Sequence, residues 1–557
     1  MSEKSIIVQS DYTILLETNS PEFETIRDEL SLFTELIKSP EFIYTYKISN
    51  ISLWNAASMG MTFENISETL TKYSKYDIPK NVSVEIKIQL NRFGQIEFHK
   101  KDKDEIFIDV KNDIIFREIA NHPKLRKFSL QITEKNKFTA NIIFRGDLKL
   151  IMTKLGYPVT DLAGYENGEF LDINTVEKTN FKNLNFTIRD YQLNGIDIFY
   201  ANGSNFGGSG VIVLPCGAGK TIVGIGIISK LKTETLIIST NITAIRQWKS
   251  ELIDKTNINP ELIGEYSGEI KEVKPITIAS YQILTYKKSK EGEFAHFKIF
   301  NERNWGLIIY DEVHLLPAQV FRIVSSLQSK RRLGLTATLI REDGLQDEVF
   351  SLIGPKKYDV PWKVLEKKGW IATSTCTEIR VPLNESIIVD YAVSDNKTKF
   401  QIASTNKSKI DAIDQILKKH KNDQILIIGQ YLDQLEIIRE KYKFPIITGQ
   451  TPNLKRMELY NLFKEGKIKQ LIVSKVANFA IDLPDANVAI QISGTFGSRQ
   501  EEAQRLGRII RPKEGDNVAY FYTIVTENSV EQDYAQKRQL FLTEQGYHYT
   551  LEIFQKE

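Results

Sequence analysis

Cysteine is nearly absent from this chain: two in 557 residues, Cys216 and Cys376. Two thiols so far apart argue against a disulfide framework and against a zinc site, and they fit a reducing compartment. Histidine is scarce as well, six in all, with no ligand spacing among them. No run reaches ~18 uninterrupted apolar residues, the length a membrane-spanning helix needs. The start, Met1-Ser-Glu-Lys, lacks the apolar core of a signal peptide. A cytoplasmic location with no membrane partner is the expectation. Charge of one sign is lacking too: 73 Lys and Arg stand against 71 Asp and Glu, a net +2, so a path for nucleic acid has to be a local stripe. There is no internal repeat, no Pro-rich linker and no low-complexity tail. What is present is ordinary for globular protein, 26% charged and 41% hydrophobic, and long enough for three to four domains of ~150 residues.

The first half-pattern is mixed α+β. Residues 5–16 read as a strand, Phe23–Ile37 as a helix, and 51–73 as helix, a turn at Gly60, and helix. Thr62 is placed to cap the second of these helices, with Glu64 and Asn65 in its first turn. A helix–turn–helix of this kind suits a DNA groove; a small bundle with Trp54, Met61 and Leu70 as core is the plainer account. A pair of strands is expected over 82–98, and strand, helix and turn over 140–164. These segments suggest accessory domains at 1–98 and 99–178 whose pattern names no chemistry.

From residue 185 apolar strands alternate with helices, at 211–214, 235–239, 276–279, 306–310 and 331–335. The alternation pauses across 344–382 and resumes at 424–429, 444–447, 470–474, 487–492 and 518–524. That grammar predicts an α/β fold: two parallel sheets flanked by helices, at 179–374 and 375–557, with a cleft between.

Chemistry concentrates at strand ends. Leu214-Pro-Cys-Gly-Ala-Gly-Lys-Thr221 follows the apolar run Val211–Val213. A buried strand, a tight Gly-containing turn and a helix start aim backbone N–H groups at one anion. Pro215, Cys216, Gly217, Ala218 and Gly219 would line it, Lys220 would reach the β- and γ-phosphates of ATP, and Thr221 would hold Mg²⁺. Leu214 stands where the strict pattern has its first glycine. In Gly306-Leu-Ile-Ile-Tyr-Asp-Glu-Val-His314 a strand delivers two acids at its C-terminal end. Asp311 suits Mg²⁺ and Glu312 suits polarising the attacking water, with His314 as a relay. Thr336 and Thr338 flank Ala337 after the next strand and offer hydroxyls for coupling. Farther on, Arg505, Arg508 and Arg511 recur at a spacing of three beside Gly507. An unmixed basic stripe makes sense opposite an anion, with Arg508 and Arg511 as arginine fingers; a surface basic helix is the alternative.

Taken in order, LPCGAGKT, DEVH, GLTAT and QRLGRIIRP resemble superfamily-two helicases, and among them the XPB-type DNA helicases. Arg341-Glu342-Asp343 is similar to that family's RED motif, and Ile353-Gly-Pro-Lys and Lys368-Gly-Trp-Ile-Ala resemble its lead-out from the first lobe. Ser474-Lys-Val through Asp482-Leu-Pro-Asp-Ala resembles its fifth motif, and Arg538 through Tyr547 its C-terminal signature. The resemblance spans about 185–550, with a fainter likeness at Ile6–Tyr12 and Ser52–Ala57. It implies two tandem RecA-like lobes and an ATP-dependent 3′→5′ DNA helicase or translocase linked to repair. It also implies adenine contacts at Arg189 and Gln192, further nucleotide contacts at Asp482 and Gln504, and DNA contacts at Arg341, Glu342 and Asp343. Residues 99–178 stand where relatives carry a damage-recognition domain, and a thumb insertion would fall near 390–408, short and polar here. Loops leaving strand ends add Thr240, Arg246, Gln247, Ser280, Tyr281, Gln430, Ser474 and Lys475 as candidate DNA contacts. Trp248 suits core or base stacking equally. A DNA-dependent ATPase that remodels DNA or recruits a nuclease partner, without processive unwinding, is the alternative function.

Overall fold

The computed structural model describes residues 4–39, 42–287, 294–339, 344–474, 486–495, 498, 502, 505–507, 509–510 and 517–555. Arg341, Glu342, Asp343, Lys475, Asp482, Gln504, Arg508 and Arg511 lie outside them.

The first sheet is built from β1 (Ile6–Val8), β2 (Thr13–Glu17), β3 (Glu35–Lys38) and β4 (Ile43–Lys47), in the order β1-β2-β4-β3. Residues 5–16 are therefore two antiparallel strands rather than one, the chain reversing near Tyr12 at φ +69°. The helix expected to reach Ile37 ends at Ser31, because β3 takes over. Helices Asn50–Ser58 and Phe63–Tyr73 follow, and Thr62 caps the second through the Asn65 amide. Trp54 and Leu70 are core, whereas Met61 is only half-buried.

Residues 80–92 correct the expectation of strands. Val82, Val84, Ile86, Ile88 and Leu90 alternate with polar residues, the period of a half-buried strand. The segment is instead the helix Lys80–Arg92, which buries Val82, Ile86 and Gln89 and leaves Val84 and Ile88 exposed. The i, i+4, i+7 subset of the alternation serves a helix as well.

The second sheet comprises β5 (Ile96–Lys100), β6 (Glu105–Val110), β7 (Gln131–Glu134), β8 (Lys137–Asn141) and β9 (Val159–Leu162), ordered β7-β8-β6-β5-β9. A boundary at 98/99 would cut β5.

The third sheet is wholly parallel: β10 (Ser209–Val213), β11 (Thr235–Ser239), β12 (Ile263–Tyr266), β13 (Ile276–Ser280), β14 (Leu307–Asp311), β15 (Arg331–Thr336) and β16 (Lys356–Asp359), ordered β12-β13-β11-β14-β15-β10-β16. The cores of β10, β11 and β14 (Val211–Val213, Leu236–Ile238 and Leu307–Tyr310) are runs of buried apolar or aromatic residues, as a parallel sheet covered on both faces requires. The edge strand β16 is closed by the N-terminal region: the Lys356 amide donates to Asn55 Oδ1 at 2.9 Å, and the Ser58 hydroxyl donates to the Lys356 carbonyl at 2.9 Å. Satisfying an edge in this way removes a pairing template.

The fourth sheet is also parallel: β17 (Thr373–Val381), β18 (Ile425–Gly429), β19 (Ile446–Ile447), β20 (Gln470–Ser474), β21 (Val488–Gln491), β22 (Val518–Thr526) and β23 (Tyr549–Ile553), ordered β19-β20-β18-β21-β22-β17-β23. Strands β16 and β17 fill the stretch 344–382, where the alternation seemed to pause. Counted within each sheet, both parallel sheets run third, fourth, second, fifth, sixth, first, seventh.

The chain forms two compact units. The first holds residues 1–35, 45–214 and 219–360; the second holds 36–44, 215–218 and 361–557. The main break thus falls at Val360/Pro361, ahead of the 374/375 boundary read from the sequence.

Candidate nucleotide and DNA sites

Strands β14, β15 and β10 are neighbours, so the three motif loops leave one sheet side by side. Thr336 of β15 accepts the Leu214 amide at 3.0 Å through its carbonyl. The loop then turns through Gly217 at φ +78° and Gly219 at φ +81°, and the helix Lys220–Leu231 begins. Those left-handed values suit glycine. At Gly219 space agrees with backbone, because a Cβ there would come within 2.4 Å of Gln192 Nε2. Gln192 therefore lies against the phosphate loop. Its Oε1 accepts the Arg189 amide at 2.9 Å, and Arg189 donates to the Tyr191 hydroxyl at 3.3 Å. One helix start, Asp190–Tyr200, thus carries both candidate adenine contacts.

Lys220 Nζ stands 3.1 Å from Glu312 Oε1, bringing the candidate phosphate ligand and the candidate water-polarising acid together. Glu312 is held at φ +50°, ψ +55°. A left-handed non-glycine residue stores strain of about 1–3 kcal/mol, and such residues cluster at functional sites. Burial works against the Glu312 carboxylate, but Lys220, His314 and the Ala337 amide outweigh it and hold the carboxyl below its usual range. Asp311 moves the other way: burial, and then the Glu312 charge, push its carboxyl up. Two adjacent acids with opposed shifts are typical of a site with divided roles.

His314 is buried, and its Nδ1 is 2.6 Å from the Thr336 hydroxyl, which also lies 2.5 Å from the Thr338 carbonyl and accepts the Thr338 amide at 3.1 Å. A carbonyl only accepts, so the single hydroxyl proton goes to Thr338 and His314 Nδ1 is the donor. The three candidate coupling residues form one chain of hydrogen bonds.

For Mg²⁺ the chain offers two hard oxygen donors, the Thr221 hydroxyl at the helix start and the Asp311 carboxylate at the end of β14. Among the described residues no group of three or more His, Cys, Asp or Glu gathers to hold a metal. Few protein ligands fit an ion that keeps its waters and arrives with phosphates.

The candidate DNA contacts separate. Thr240 and Gln247 are half-buried and Arg246 is exposed, paired with Glu269 at 2.6 Å. Ser280 and Tyr281 are corrected: both side chains are buried. Ser280 caps the short helix after β13, and the Tyr281 hydroxyl donates to the Asp311 carbonyl at 3.0 Å, so neither is offered to a strand of DNA. In the other parallel sheet, Gln430 and Ser474 follow and end the paired strands β18 and β20. Gln430 is half-buried, but Ser474 is as buried as Ser280 and on the same ground is not offered to a strand of DNA.

Arg505 also departs from expectation. It is fully buried and donates to Gln491 Oε1, so it does not share an outward stripe. Trp248 resolves to core: its ring is 2% exposed, and its indole N–H donates to Asp311 Oδ2 at 2.9 Å. Ser239 donates to the same oxygen at 2.9 Å. No sequence spacing announces either bond.

A parallel sheet of one strand order occurring twice, once ending in a phosphate loop, is the architecture of tandem RecA-like lobes, the framework of superfamily-two helicases. Residues 365–555 match the family described as ERCC3/RAD25/XPB C-terminal helicase, 6–134 the helicase conserved C-terminal domain, and 185–341 the Type III restriction enzyme, res subunit. The chain is 45% identical over 551 residues to the DNA 3′-5′ helicase XPB of Mycobacterium tuberculosis, covering 99% of this chain and 98% of that one. It is 35% identical over 568 residues to the general transcription and DNA repair factor IIH helicase/translocase subunit XPB of Enterocytozoon bieneusi, covering 97% and 91%. The solved structure of the ATP-dependent Type ISP restriction-modification enzyme LlaBIII bound to DNA aligns with TM-score 0.50 at 14% identity, over 67% of this chain and 31% of that one, a likeness of fold alone. The chain belongs to the XPB family of helicases.

Proposed function

We propose that this chain is an ATP-dependent DNA helicase or translocase moving 3′→5′, with a role in DNA repair. The family supports the activity. The observation that carries the chemistry is the Lys220–Glu312 pair, 3.1 Å apart beside the phosphate loop. ATP phosphates entering the loop would meet its amides and draw Lys220 away from Glu312. Glu312, released from Lys220, is then free to orient the attacking water. Thr221 and Asp311 would hold Mg²⁺, which neutralises phosphate charge when bound. His314, Thr336 and Thr338 would carry the change onward. From the sequence alone, Arg508 and Arg511 are proposed to stabilise the transferring phosphoryl group, Asp482 and Gln504 to touch nucleotide, and Arg341, Glu342, Asp343 and Lys475 to touch DNA. Thr240, Arg246, Gln247 and Gln430 suit phosphate contacts without sequence preference.

A second reading, an ATPase that remodels DNA or recruits a nuclease without processive unwinding, is favoured by the slight thumb region: only the helices Ile388–Val393 and Asn396–Ser404 occupy it. Labelled tailed duplexes separate the two. ATP-dependent strand release by the natural chain, absent in Lys220→Ala, is expected. DNA-stimulated hydrolysis with no release from any tailed duplex would remove strand separation and leave the second reading.

A further inference from the structure

Asp311 is tethered from the side of the sheet that carries the candidate DNA contacts. Its Oδ2 takes two hydrogen bonds, from Ser239 Oγ and from Trp248 Nε1, each 2.9 Å. Its carbonyl takes a third, from the Tyr281 hydroxyl at 3.0 Å. Ser239 ends β11, Trp248 lies on the helix Ile242–Lys255, and Tyr281 opens the turn after β13. Thr240 follows Ser239 directly, and Arg246 and Gln247 precede Trp248 on that same helix.

Trp248 also reaches the nucleotide side. A Cβ at Gly224 would come within 2.6 Å of the indole Cη2. Gly224 lies on the helix that begins with Lys220 and Thr221. The ring is thus seated against the phosphate-loop helix while its N–H holds the aspartate.

We propose that Trp248 is a positioning residue that couples the helix Ile242–Lys255 to Asp311, so that DNA engaging this helix changes how the site holds nucleotide. The helix presents Arg246 to solvent and buries Trp248 two residues later. A hydrogen bond to a carboxylate is directional and weakens steeply with misalignment. A small rotation of the helix under a DNA load therefore alters the bond, while the packed ring at Gly224 passes the same displacement to the phosphate-loop helix. Ser239, sharing Oδ2, sets the reference position of the carboxylate. The inference rests on the DNA-motor reading above.

Coupling between two ligands is reciprocal and is read as one ratio, the nucleotide Kd without DNA over that with DNA. It is measured on the full chain with a fluorescent ADP analogue in Mg²⁺, with and without a tailed duplex. DNA binding by anisotropy and DNA-stimulated hydrolysis are followed in parallel. Trp248→Phe keeps a buried aromatic and deletes the donor. The expected result is a ratio well away from one in the natural chain that collapses toward one in Trp248→Phe. DNA affinity is expected to stay within about twofold and stimulation to fall by about tenfold, the scale of one hydrogen bond to a charged group. Should Trp248→Phe not fold, Ser239→Ala deletes the partner bond to the same oxygen and must bring the ratio toward one too. A ratio and a stimulation unchanged in both variants overturn the inference and leave Trp248 as packing. An absence of any DNA effect in the natural chain overturns the DNA-motor reading, and this inference with it.

Discussion

The two cysteines show how much a residue's chemistry depends on where the fold puts it. Cys216 is half-buried in the Gly-Lys-Thr loop, whereas Cys376 is 1% exposed inside β17. Burial, and then the Glu502 charge, push the Cys376 thiol up to about 12. An unfolded thiol titrates near ~8.5, so Cys376 keeps its proton longer in the folded state. Its contribution to stability is whole below that value and is lost as the pH rises toward 12. At pH 8, iodoacetamide is expected to label one thiol in the native chain and two in denaturant, with ATP slowing the native reaction. Rapid labelling of both thiols in the native chain would contradict this placement. Most of the candidate nucleotide site is legible in the sequence, because the Gly-Lys-Thr loop and the Asp-Glu pair are each contiguous in the chain. The Trp248–Asp311 bond is not, since its partners are 63 residues apart and meet only through the order of the sheet. Arg505 misled for a related reason: a spacing of three says that charges share a helix face, not which face is inside.

Among elements, the joint between the second sheet and the parallel sheet of the first unit rests on charge. Asp161 of β9 is held by Arg145 Nη2 at 2.8 Å and Lys149 Nζ at 2.9 Å, all three side chains nearly fully buried. Lys149 also donates to Gln328 at 2.7 Å, reaching the helical layer of the parallel sheet. Burial opposes the Asp161 carboxylate, but the two cations overcome it and hold the carboxyl far below its usual value. The stabilisation is therefore present above the unfolded carboxylate value of ~3.9 and is lost as the pH falls below it. Asp161→Asn leaves two buried cations without their counter-charge and is expected to cost on the order of 3–5 kcal/mol at neutral pH. Denaturation midpoints of the natural and variant chains across pH check this: the gap should narrow in acid. A gap that is absent at pH 7, or unchanged at pH 3, would show that the cluster does not hold the joint. Elements were legible where apolar runs were long, as in β10, β11 and β14. They were not where strands are polar or at an edge, as in Lys356–Asp359 and Thr373–Val381. The helix Lys80–Arg92 hid behind an alternation of β-branched residues that packing overrode.

At the scale of the whole molecule, the sequence has no visible repeat, yet the two parallel sheets share one strand order. Topology persists where side chains have diverged, because sheet order depends on crossover handedness and buried strands rather than on particular residues. With a net charge of only +2, a nucleic acid would have to be held by local groups and not by an overall field. Taken together, the phosphate loop and Glu312 are proposed to hydrolyse ATP in response to DNA. The direct test is ATP hydrolysis by the full chain, with and without bubble, fork and single-stranded DNA, against Lys220→Ala and Glu312→Gln. Hydrolysis by the natural chain should rise severalfold or more with DNA. Both variants should fall by about 10²-fold or more, Glu312→Gln while still binding nucleotide. Hydrolysis that is indifferent to DNA, or that survives in Glu312→Gln, would contradict the account.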